Sequence, residues 1–317
     1  MPPPADYNRR RSAPTESIEA RLNASNEPRQ HRVKCLSPVG FHEMVYVEWG
    51  NPANANVLIC AHGLTRMGRD FDRLARVLSD RYRVVCPDVV GRGLSDRLRD
   101  PAYYAIPQYV SDMVALIARL GVNQVDWVGT SMGGLIGIAL AGQPGSPIRR
   151  MVINDVGPRL GPVAIARIAS YVGQPVSFAN LDEAVGYLSV AAAPFGLKTR
   201  EDWRELFEPT LRREGDRWVL RYDPAIALPF KSVTPQAAAA AEAATWALYD
   251  RISARTLLVR GAESDLLTPE TTAEMAARGP RPRVAEVPGV GHAPTFMLPG
   301  EIALVRDFLL EDADRTT

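Results

Sequence analysis

The sequence predicts an α/β protein with a mostly parallel sheet and helices on both faces of that sheet. Two observations support this fold class. From about Val57 to Asp155, short β-branched apolar runs alternate with longer segments of helical periodicity, as they do in parallel sheets. Between Pro158 and about Asp250 the alternation stops, and it resumes at Thr256. We therefore expect an inserted segment that is not part of the sheet.

The first half of the chain is predicted to begin with two antiparallel strands, Arg32–Leu36 and Met44–Trp49. Strands and helices then follow in turn. The expected elements are a strand ending at Ala61, a helix near Phe71–Leu78, a strand at Tyr82–Pro87, a helix with Val110, Met113, Val114 and Ile117 on one face, a strand at Gln124–Val128, a helix at Met132–Ala141 and a strand at Met151–Ile153.

The interrupting block, residues 158–250, is predicted to be a helical cap. Thr199 is a typical helix N-cap, and the alanine-rich stretch Pro235–Tyr249 is a strong helix former. The block holds 11 of the 23 aromatic residues, including Trp203, Trp218 and Trp246. These aromatic side chains form either an apolar substrate pocket or the cap's own core, and we favour the core for most of them.

The remaining elements complete the sheet and give the domain boundaries. Strands are expected at Thr256–Arg260 and Arg283–Val287, and the last helix places Ile302, Val305, Phe308 and Leu309 inward. We assign residues 31–157 and 251–317 to the core and residues 158–250 to the cap. Residues 1–30 are rich in Pro, Arg, Asn and Ser, and we expect a disordered tail with at most a short helix at Glu16–Leu22.

The most informative local pattern is Gly129-Thr130-Ser131-Met132-Gly133, between a strand-like run and a helix-like run. This context is typical of a nucleophile elbow, a tight turn that presents a serine hydroxyl above the sheet edge. Gly129 and Gly133 are expected because side chains there would clash in the turn. The helix that follows offers a free N–H and the positive end of its dipole.

Several ordered patterns resemble the α/β-hydrolase superfamily, in the form that carries a helical cap. The resemblance runs from about Arg32 to Glu311. It rests on His62-Gly63, Asp88–Asp96 (DVVGRGLSD), Gly129–Gly134 (GTSMGG), Gly261–Asp265 (GAESD) and Gly291-His292. It implies an eight-stranded α/β-hydrolase sheet and a serine mechanism. Family members that cleave epoxides or carbon–halogen bonds have Asp at the elbow, so Ser131 argues against both activities.

The resemblance also orders the catalytic residues as Ser, acid, His. The chain has four histidines, and of these His292 alone follows Ser131, so it is predicted to be the base. Asp265, in the turn after the Thr256–Arg260 strand, is the preferred third member. Asp155, after Met151–Ile153, is its rival, and Glu263 is expected to face solvent.

The oxyanion hole requires two backbone N–H groups that point at the developing negative charge. We expect them from Met132, directly after the nucleophile, and from Leu64, in the turn after the strand that ends at Ala61. His62 is expected to be structural, with hydrogen bonds to the backbone of this turn. Arg66 is a possible substrate contact, although a solvated arginine explains it equally well.

Composition mainly excludes function classes. With 37 basic and 36 acidic residues, the net charge is +1 and shows no footprint for nucleic acid. The chain has no apolar run long enough for a membrane span, and Arg9-Arg10-Arg11 is not followed by the apolar stretch of a secretory signal. We therefore expect neither nucleic acid nor membrane as a partner.

Cysteine usage predicts the cellular compartment and the absence of a metal site. Cys35, Cys60 and Cys86 are expected to be buried free thiols of a cytoplasmic protein rather than disulfide partners. No group of residues has the sequence spacing of metal ligands, and Gly91-Arg92-Gly93 lacks the third glycine of a nucleotide fingerprint. We expect neither a metal nor a cofactor.

The sequence thus predicts a serine hydrolase that cleaves carboxylic esters, of small molecules or of polyester oligomers, through an acyl-enzyme on Ser131. Two alternatives stay open. One is a hydrolase of C–C bonds in vinylogous diketones with the same triad, and the other is a slow-turnover ligand receptor of the same fold. Acyl and alcohol specificity, the natural substrate and the oligomeric state are left open by the sequence.

Overall fold

A computed structural model describes residue 18 and residues 27–231 and 233–311. Within these residues the strands are β1 (Arg29–Ser37), β2 (Gly40–Trp49), β3 (Val57–Ala61), β4 (Arg83–Pro87), β5 (Val125–Thr130), β6 (Ile148–Asn154), β7 (Ser177–Phe178), β8 (Leu211–Glu214), β9 (Arg217–Leu220), β10 (Arg255–Gly261) and β11 (Arg283–Val287). The helices are α1 (Asp72–Leu78), α2 (Ile106–Leu120), α3 (Met132–Ala141), α4 (Pro162–Tyr171), α5 (Leu181–Ala191), α6 (Arg200–Phe207), α7 (Leu228–Lys231), α8 (Pro235–Tyr249), α9 (Pro269–Ala277) and α10 (Pro299–Leu310).

Eight of the strands form one sheet in the order β1-β2-β4-β3-β5-β6-β10-β11. Strand β2 is antiparallel to β1, with His31 opposite Tyr46, and also antiparallel to β4. All the other pairs in this sheet are parallel, as predicted. The carboxyl ends of β3, β5, β6, β10 and β11 therefore lie along one edge, where ligands bind in open α/β sheets.

The sheet is buried on both faces. Strand β5 shows this in two consecutive residues, because Trp127 belongs to the core on one face and Val128 to the core on the other. Helices α2 and α3 pack on the Trp127 face, while α1 and α10 pack on the Val128 face. The four side chains of α10 that were expected to face inward are buried, namely Ile302, Val305, Phe308 and Leu309, and Glu301 of the same helix is buried as well.

One helix face was predicted wrongly. Helix α2 buries Tyr109, Met113 and Leu116, but the side chain of Val114 is 54% exposed. The apolar stripe therefore lies to one side of the face that we expected. Tyr109 and Leu116 complete the stripe at helical spacing, and Val114 lies outside it.

The segment between the end of β6 and the start of β10, here called the insertion, is not entirely helical. It contains a small antiparallel sheet in the order β7-β9-β8, in addition to helices α4 to α8. Gly215, with φ of 62°, turns the chain between β8 and β9. The hairpin has no clear alternation of apolar and polar residues in the sequence, because its strands carry charged residues such as Arg213 and Glu214. Thr199 caps α6 as expected, and α8 has the predicted bounds.

Most of the predicted N-terminal tail, residues 1–30, lies outside the described residues. Two findings bear on its boundary. Strand β1 begins at Arg29, whose side chain bonds the buried carboxylate of Glu48 at 3.1 Å, so residues 29 and 30 belong to the sheet. Ile18 packs against the core cluster on the α1 and α10 face.

We predict that the tail contributes to stability but not to catalysis. A chain that starts at Glu27 loses the packing of Ile18, so its stability should fall by about 1 kcal/mol. A chain that starts at His31 also loses the ion pair between Arg29 and Glu48. It should melt at a lower temperature than the chain that starts at Glu27. Both should keep the kcat of the full chain, measured on an aryl ester beside thermal unfolding. A loss of kcat in the chain that starts at Glu27 would contradict this prediction.

Candidate active site

Strand β5 leads directly into the elbow. Ser131 has φ of 53° and ψ of −116°, and α3 begins at the next residue. A Cβ atom on Gly129 would lie 2.3 Å from the carbonyl oxygen of Gly133, and one on Gly133 would lie 2.0 Å from the carbonyl oxygen of Ala61. Neither position can carry a side chain, which agrees with the clash inferred from the sequence. The turn thus holds Ser131 at the carboxyl edge of the sheet.

His292 lies beside Ser131. It follows β11, and its Nε2 atom is 2.9 Å from the Ser131 Oγ. Its Nδ1 atom is 2.8 Å from the Oδ2 atom of Asp155. An ionised carboxylate only accepts hydrogen bonds, so Nδ1 donates to Asp155 and Nε2 is left to accept the serine proton. This is the tautomer that a general base beside a serine nucleophile requires.

Asp155 is the first residue after β6, with φ of 56° and a fully buried side chain. Its Oδ1 atom accepts the N–H of Gly261 at 2.9 Å. Its Oδ2 atom accepts the Ser264 hydroxyl at 2.7 Å in addition to His292. Three donors therefore bond the buried carboxylate, and no arginine or lysine is among them.

The expectation that Asp265 orients His292 is wrong. The Asp265 carboxylate forms a two-bond ion pair with Arg167 of α4, at 2.8 and 3.0 Å, and its side chain is 37% exposed. The reason is its place in the chain. Asp265 lies four residues beyond the end of β10, in a turn that faces the insertion, whereas Asp155 directly follows a strand that neighbours β5. Glu263 is exposed, as expected.

Two further residues of the site were missed. Ser264 donates its hydroxyl to Asp155, and its oxygen lies 3.2 Å from the N–H of Leu267. The Asn154 amide donates to the Thr130 Oγ1 at 3.0 Å and to the carbonyl of Pro294 at 2.8 Å, and so ties the elbow to the histidine loop. A polar residue at the end of an apolar strand was the available signal for Asn154. We found none for Ser264.

The expected oxyanion donors belong to two segments that meet Ser131, the turn after β3 and the start of α3. Leu64 lines the cavity above the serine, and Met132 begins α3. Within the described part of the chain, the backbone N–H groups of these two residues have no hydrogen-bond acceptor. Both groups are therefore available to a negative oxygen, as an oxyanion hole requires.

His62 has the structural role that we expected. Its Nδ1 donates to the Gly63 carbonyl at 2.7 Å, and its Nε2 accepts the Val89 N–H at 2.9 Å. Complete burial lowers the pKa of His62 to about 3, so the ring is neutral at physiological pH. A neutral ring with both nitrogens bonded to backbone fixes the turn that carries Leu64.

Arg66 lines the cavity, but its guanidinium already has partners. It forms a two-bond ion pair with Asp70 at 2.6 and 2.8 Å and donates to the Leu206 carbonyl at 2.9 Å. It also lies 4.9 Å from the centre of the Phe207 ring. These contacts connect the turn after β3 to α6 of the insertion. A contact of Arg66 with substrate stays a prediction.

A cavity of about 330 Å³ lies over Ser131 and His292, between the sheet edge and the insertion. Its polar side chains include Thr65, Ser170, Gln174 and Thr210. The apolar and aromatic residues of its wall include Leu64, Ile168, Tyr171, Val176, Tyr187, Leu188, Phe195, Phe207, Leu220 and Tyr222. Trp203, Trp218 and Trp246 do not line it, and Trp203 stacks on Phe195 and Phe207 instead. Trp203 and Trp218 pack in small apolar clusters formed mainly by the insertion, whereas Trp246 is buried in the core cluster on the Trp127 face of the sheet.

The structure brings together one group of residues that have metal-binding side chains. The ligand atoms of Cys35, His42 and Asp112 lie within 4.8 Å of one another, and all three side chains are buried. The sequence did not indicate this group because Asp112 lies far along the chain from Cys35 and His42. Its members are part of a hydrogen-bond network, because the His42 Nε2 is 3.1 Å from Asp112 and Gln108 donates to the same carboxylate at 2.7 Å. The three cysteines are free and buried, as expected.

Comparison with known proteins decides the family. Residues 58–303 match the model of the alpha/beta hydrolase family, which is more than half of the chain. The chain belongs to the alpha/beta hydrolase family. It is similar to a 3-hydroxybutyrate-oligomer hydrolase of Cupriavidus necator, with 55% identity over 288 residues, which cover 90% of this chain and 98% of that protein.

Solved structures agree with this assignment. A putative hydrolase from Rickettsia typhi is 30% identical, with a TM-score of 0.81 over 90% of this chain and 99% of its own. An alpha/beta hydrolase from Novosphingobium aromaticivorans is 32% identical, with a TM-score of 0.79 and the same coverage. The predicted fold and the prediction of an enzyme that hydrolyses carboxylic esters are confirmed. Among the described residues, no helix of this hydrolase combines the length and apolar character that a membrane span needs.

We predict opposite outcomes for the two aspartates. Asp155→Asn should leave His292 in the wrong tautomer and lower kcat by roughly 10⁴-fold. Asp265→Asn should weaken a half-exposed ion pair, lower stability by about 1 kcal/mol or less and leave kcat almost unchanged. Ester hydrolysis and thermal unfolding of both variants check this. If Asp265→Asn were inactive and Asp155→Asn active, Asp265 would be the residue that orients His292.

Proposed function

We propose that this hydrolase cleaves oligomers of 3-hydroxybutyrate through an acyl-enzyme on Ser131. The observation that carries the mechanism is the hydrogen-bonded series Ser131–His292–Asp155 beneath the cavity. The support for the substrate is the similarity to the Cupriavidus necator oligomer hydrolase, which extends over nearly the whole of both chains.

In the first half-reaction, His292 Nε2 takes the Ser131 proton while Oγ attacks the ester carbonyl carbon. The carbonyl oxygen becomes the oxyanion, which accepts the N–H groups of Leu64 and Met132. Asp155 holds the imidazole in place and stabilises its protonated form. The tetrahedral intermediate then collapses, the C–O bond to the alcohol breaks, and His292 gives its proton to the departing alcohol oxygen.

The second half-reaction repeats these steps with water. His292 takes a proton from water, and the hydroxide oxygen attacks the acyl carbon on Ser131. The bond to Oγ breaks, His292 returns the proton to Oγ, and a carboxylic acid leaves. The mechanism uses the buried His62 only to fix the turn, since both of its ring nitrogens are bonded to backbone.

The cavity suits a short aliphatic polyester. Each 3-hydroxybutyrate unit has one methyl group and one ester group, so the interior of an oligomer is neutral and moderately apolar. The wall offers aliphatic side chains such as Ile168 and Leu188 for the methyl groups. The hydroxyls of Tyr171, Tyr187 and Tyr222 are donors of the kind that ester carbonyls accept.

We predict that Ser131→Ala abolishes both ester hydrolysis and covalent labelling by a fluorophosphonate, because no other serine lies beside His292 in the described site. Ser170→Ala is the matched control, since Ser170 lines the same cavity. It should keep its labelling and most of its kcat, and both variants should melt near the temperature of the unmodified chain. Labelling that persists in Ser131→Ala would disprove the nucleophile assignment.

A substrate panel tests the reaction class. We expect rapid release of acid from dimers to tetramers of 3-hydroxybutyrate, measured by titration, and hydrolysis of p-nitrophenyl butyrate. A vinylogous diketone should be cleaved slowly or not at all. Preference for the diketone would favour the C–C hydrolase alternative, and negligible turnover of every ester would favour the receptor alternative.

A further inference from the structure

A second cavity, of about 350 Å³, adjoins the one over Ser131. The two cavities share part of their walls, and the shared residues are Gln174, Val176, Leu220 and Tyr222. Its wall also includes Arg97, and Arg212 and Glu214 of β8. All three strands of the small sheet contribute to this wall, through Ser177, Arg212 and Val219 among others.

The charged groups around the second cavity do not balance. Arg212 forms an ion pair with Glu214 at 3.2 Å. Within the described residues, Arg97 has no hydrogen-bond or ion-pair partner. Arg217, next to the cavity, donates to the Ser177 carbonyl at 2.9 Å and so adds positive charge nearby. The cavity therefore has one uncompensated guanidinium, of the kind that binds a carboxylate through two parallel hydrogen bonds.

We propose that the second cavity binds the terminal carboxylate of the oligoester and that Arg97 is its main ligand. This inference rests on the proposed function. A 3-hydroxybutyrate oligomer has a hydroxyl at one end and a carboxylate at the other. The carboxylate always lies on the alcohol side of the ester that is cleaved. The second cavity consequently holds the leaving half of the chain, and the cavity over Ser131 holds the acyl half.

The experiment compares two forms of one substrate. The free acid of the 3-hydroxybutyrate trimer and its methyl ester differ in the terminal charge, so Arg97→Gln should discriminate between them. We expect the variant to raise the KM for the free acid about fivefold and to leave the KM for the methyl ester and for p-nitrophenyl butyrate unchanged. Arg212→Gln should show a smaller change of the same kind. Arg213→Gln is the matched control, because Arg213 is exposed like Arg97 but does not line the cavity.

The outcomes separate the two proposals. The ratio to compare is the KM for the free acid divided by the KM for the methyl ester. If the unmodified enzyme cleaves the trimer and this ratio is the same in Arg97→Gln as in Arg213→Gln, the carboxylate site is overturned and the proposed function stands. If the unmodified enzyme cleaves aryl esters but no oligomer, the proposed substrate is wrong and the carboxylate site falls with it.

A second observation concerns Arg92, which is 1% exposed. Its Nε donates to the Leu64 carbonyl at 2.8 Å, and its Nη1 donates to the Val90 carbonyl at 2.7 Å and to the Tyr109 hydroxyl at 2.9 Å. Its Nη2 lies 3.6 Å from the Met132 sulfur. Among the described residues no carboxylate pairs with it. A buried, unpaired cation thus contacts both residues of the predicted oxyanion hole.

We infer that Arg92 is a positioning residue for the oxyanion hole. Its bond to the Leu64 carbonyl fixes the orientation of that residue, and its positive charge favours negative charge on the nearby substrate oxygen. Because this charge is desolvated, its effect on the oxyanion is larger than that of an exposed arginine. The stabilisation increases as the tetrahedral intermediate forms, so removal of Arg92 should affect kcat more than KM.

Arg92→Gln should lower kcat about 100-fold with KM within twofold, when kcat is calculated per site titrated by a fluorophosphonate. Arg92→Lys, which keeps the charge, should recover part of this loss. Titration excludes molecules that have not folded. Tyr109→Phe keeps Arg92 but removes the hydroxyl that accepts one of its hydrogen bonds, and it should lower kcat severalfold. This variant tests the inference if the Arg92 variants do not fold. If kcat per titrated site stays within twofold in Tyr109→Phe and in every Arg92 variant that folds, the inference is overturned.

Discussion

The geometry of the site depends on the buried carboxylate of Asp155. It accepts hydrogen bonds from a backbone N–H at the end of β10, from Ser264 in the turn beyond β10, and from His292 in the loop after β11. One side chain at the end of β6 therefore fixes the relative positions of three neighbouring segments. The Asp155 backbone N–H adds a bond to the Val259 carbonyl of β10 at 2.8 Å. The positive φ of Asp155 is a strained backbone conformation. Such a conformation persists where the surrounding hydrogen bonds hold the residue in place.

Two kinds of interaction hold the segments at the carboxyl edge of the sheet. The elbow and the turn of His62 are fixed by close backbone packing and by bonds to backbone atoms. The insertion is attached to the core both by apolar packing, as at Ile168 and Trp246, and by arginines. Arg66 donates to the Leu206 carbonyl, Arg73 pairs with Asp202 and Glu205, and Arg167 pairs with Asp265. Asp265 thus belongs to the contact between the core and the insertion. This explains why it lies near the active site but is not one of the catalytic residues.

The sequence was sufficient where the information is local. The elbow, the sheet and the last helix follow from runs of a few residues, and His292 follows from chain order. The choice between Asp155 and Asp265 required the direction of each side chain, which depends on a single backbone angle at Asp155 and on an arginine about 100 residues from Asp265. The hairpin β8–β9 was hidden by its charges. The contacts of Arg92 and Ser264 are tertiary, so no spacing in the sequence could indicate them.

The insertion begins and ends at adjacent strands. It leaves the sheet after β6 and returns at β10, and these two strands pair directly, with Met151 opposite Thr256. Because these strands are parallel, the insertion leaves at the carboxyl edge and returns at the opposite edge, with Asn154 opposite Val259 and Arg255 opposite Arg150. Its two ends are therefore held about 13 Å apart along the strands, the rise of four strand residues, whatever its length. Loop-closure entropy rises only slowly with the number of residues in a loop whose ends are held at a fixed distance. Chains of different length and structure can consequently replace this segment while the sheet that carries Ser131, Asp155 and His292 stays the same, so substrate choice and chemistry can evolve separately.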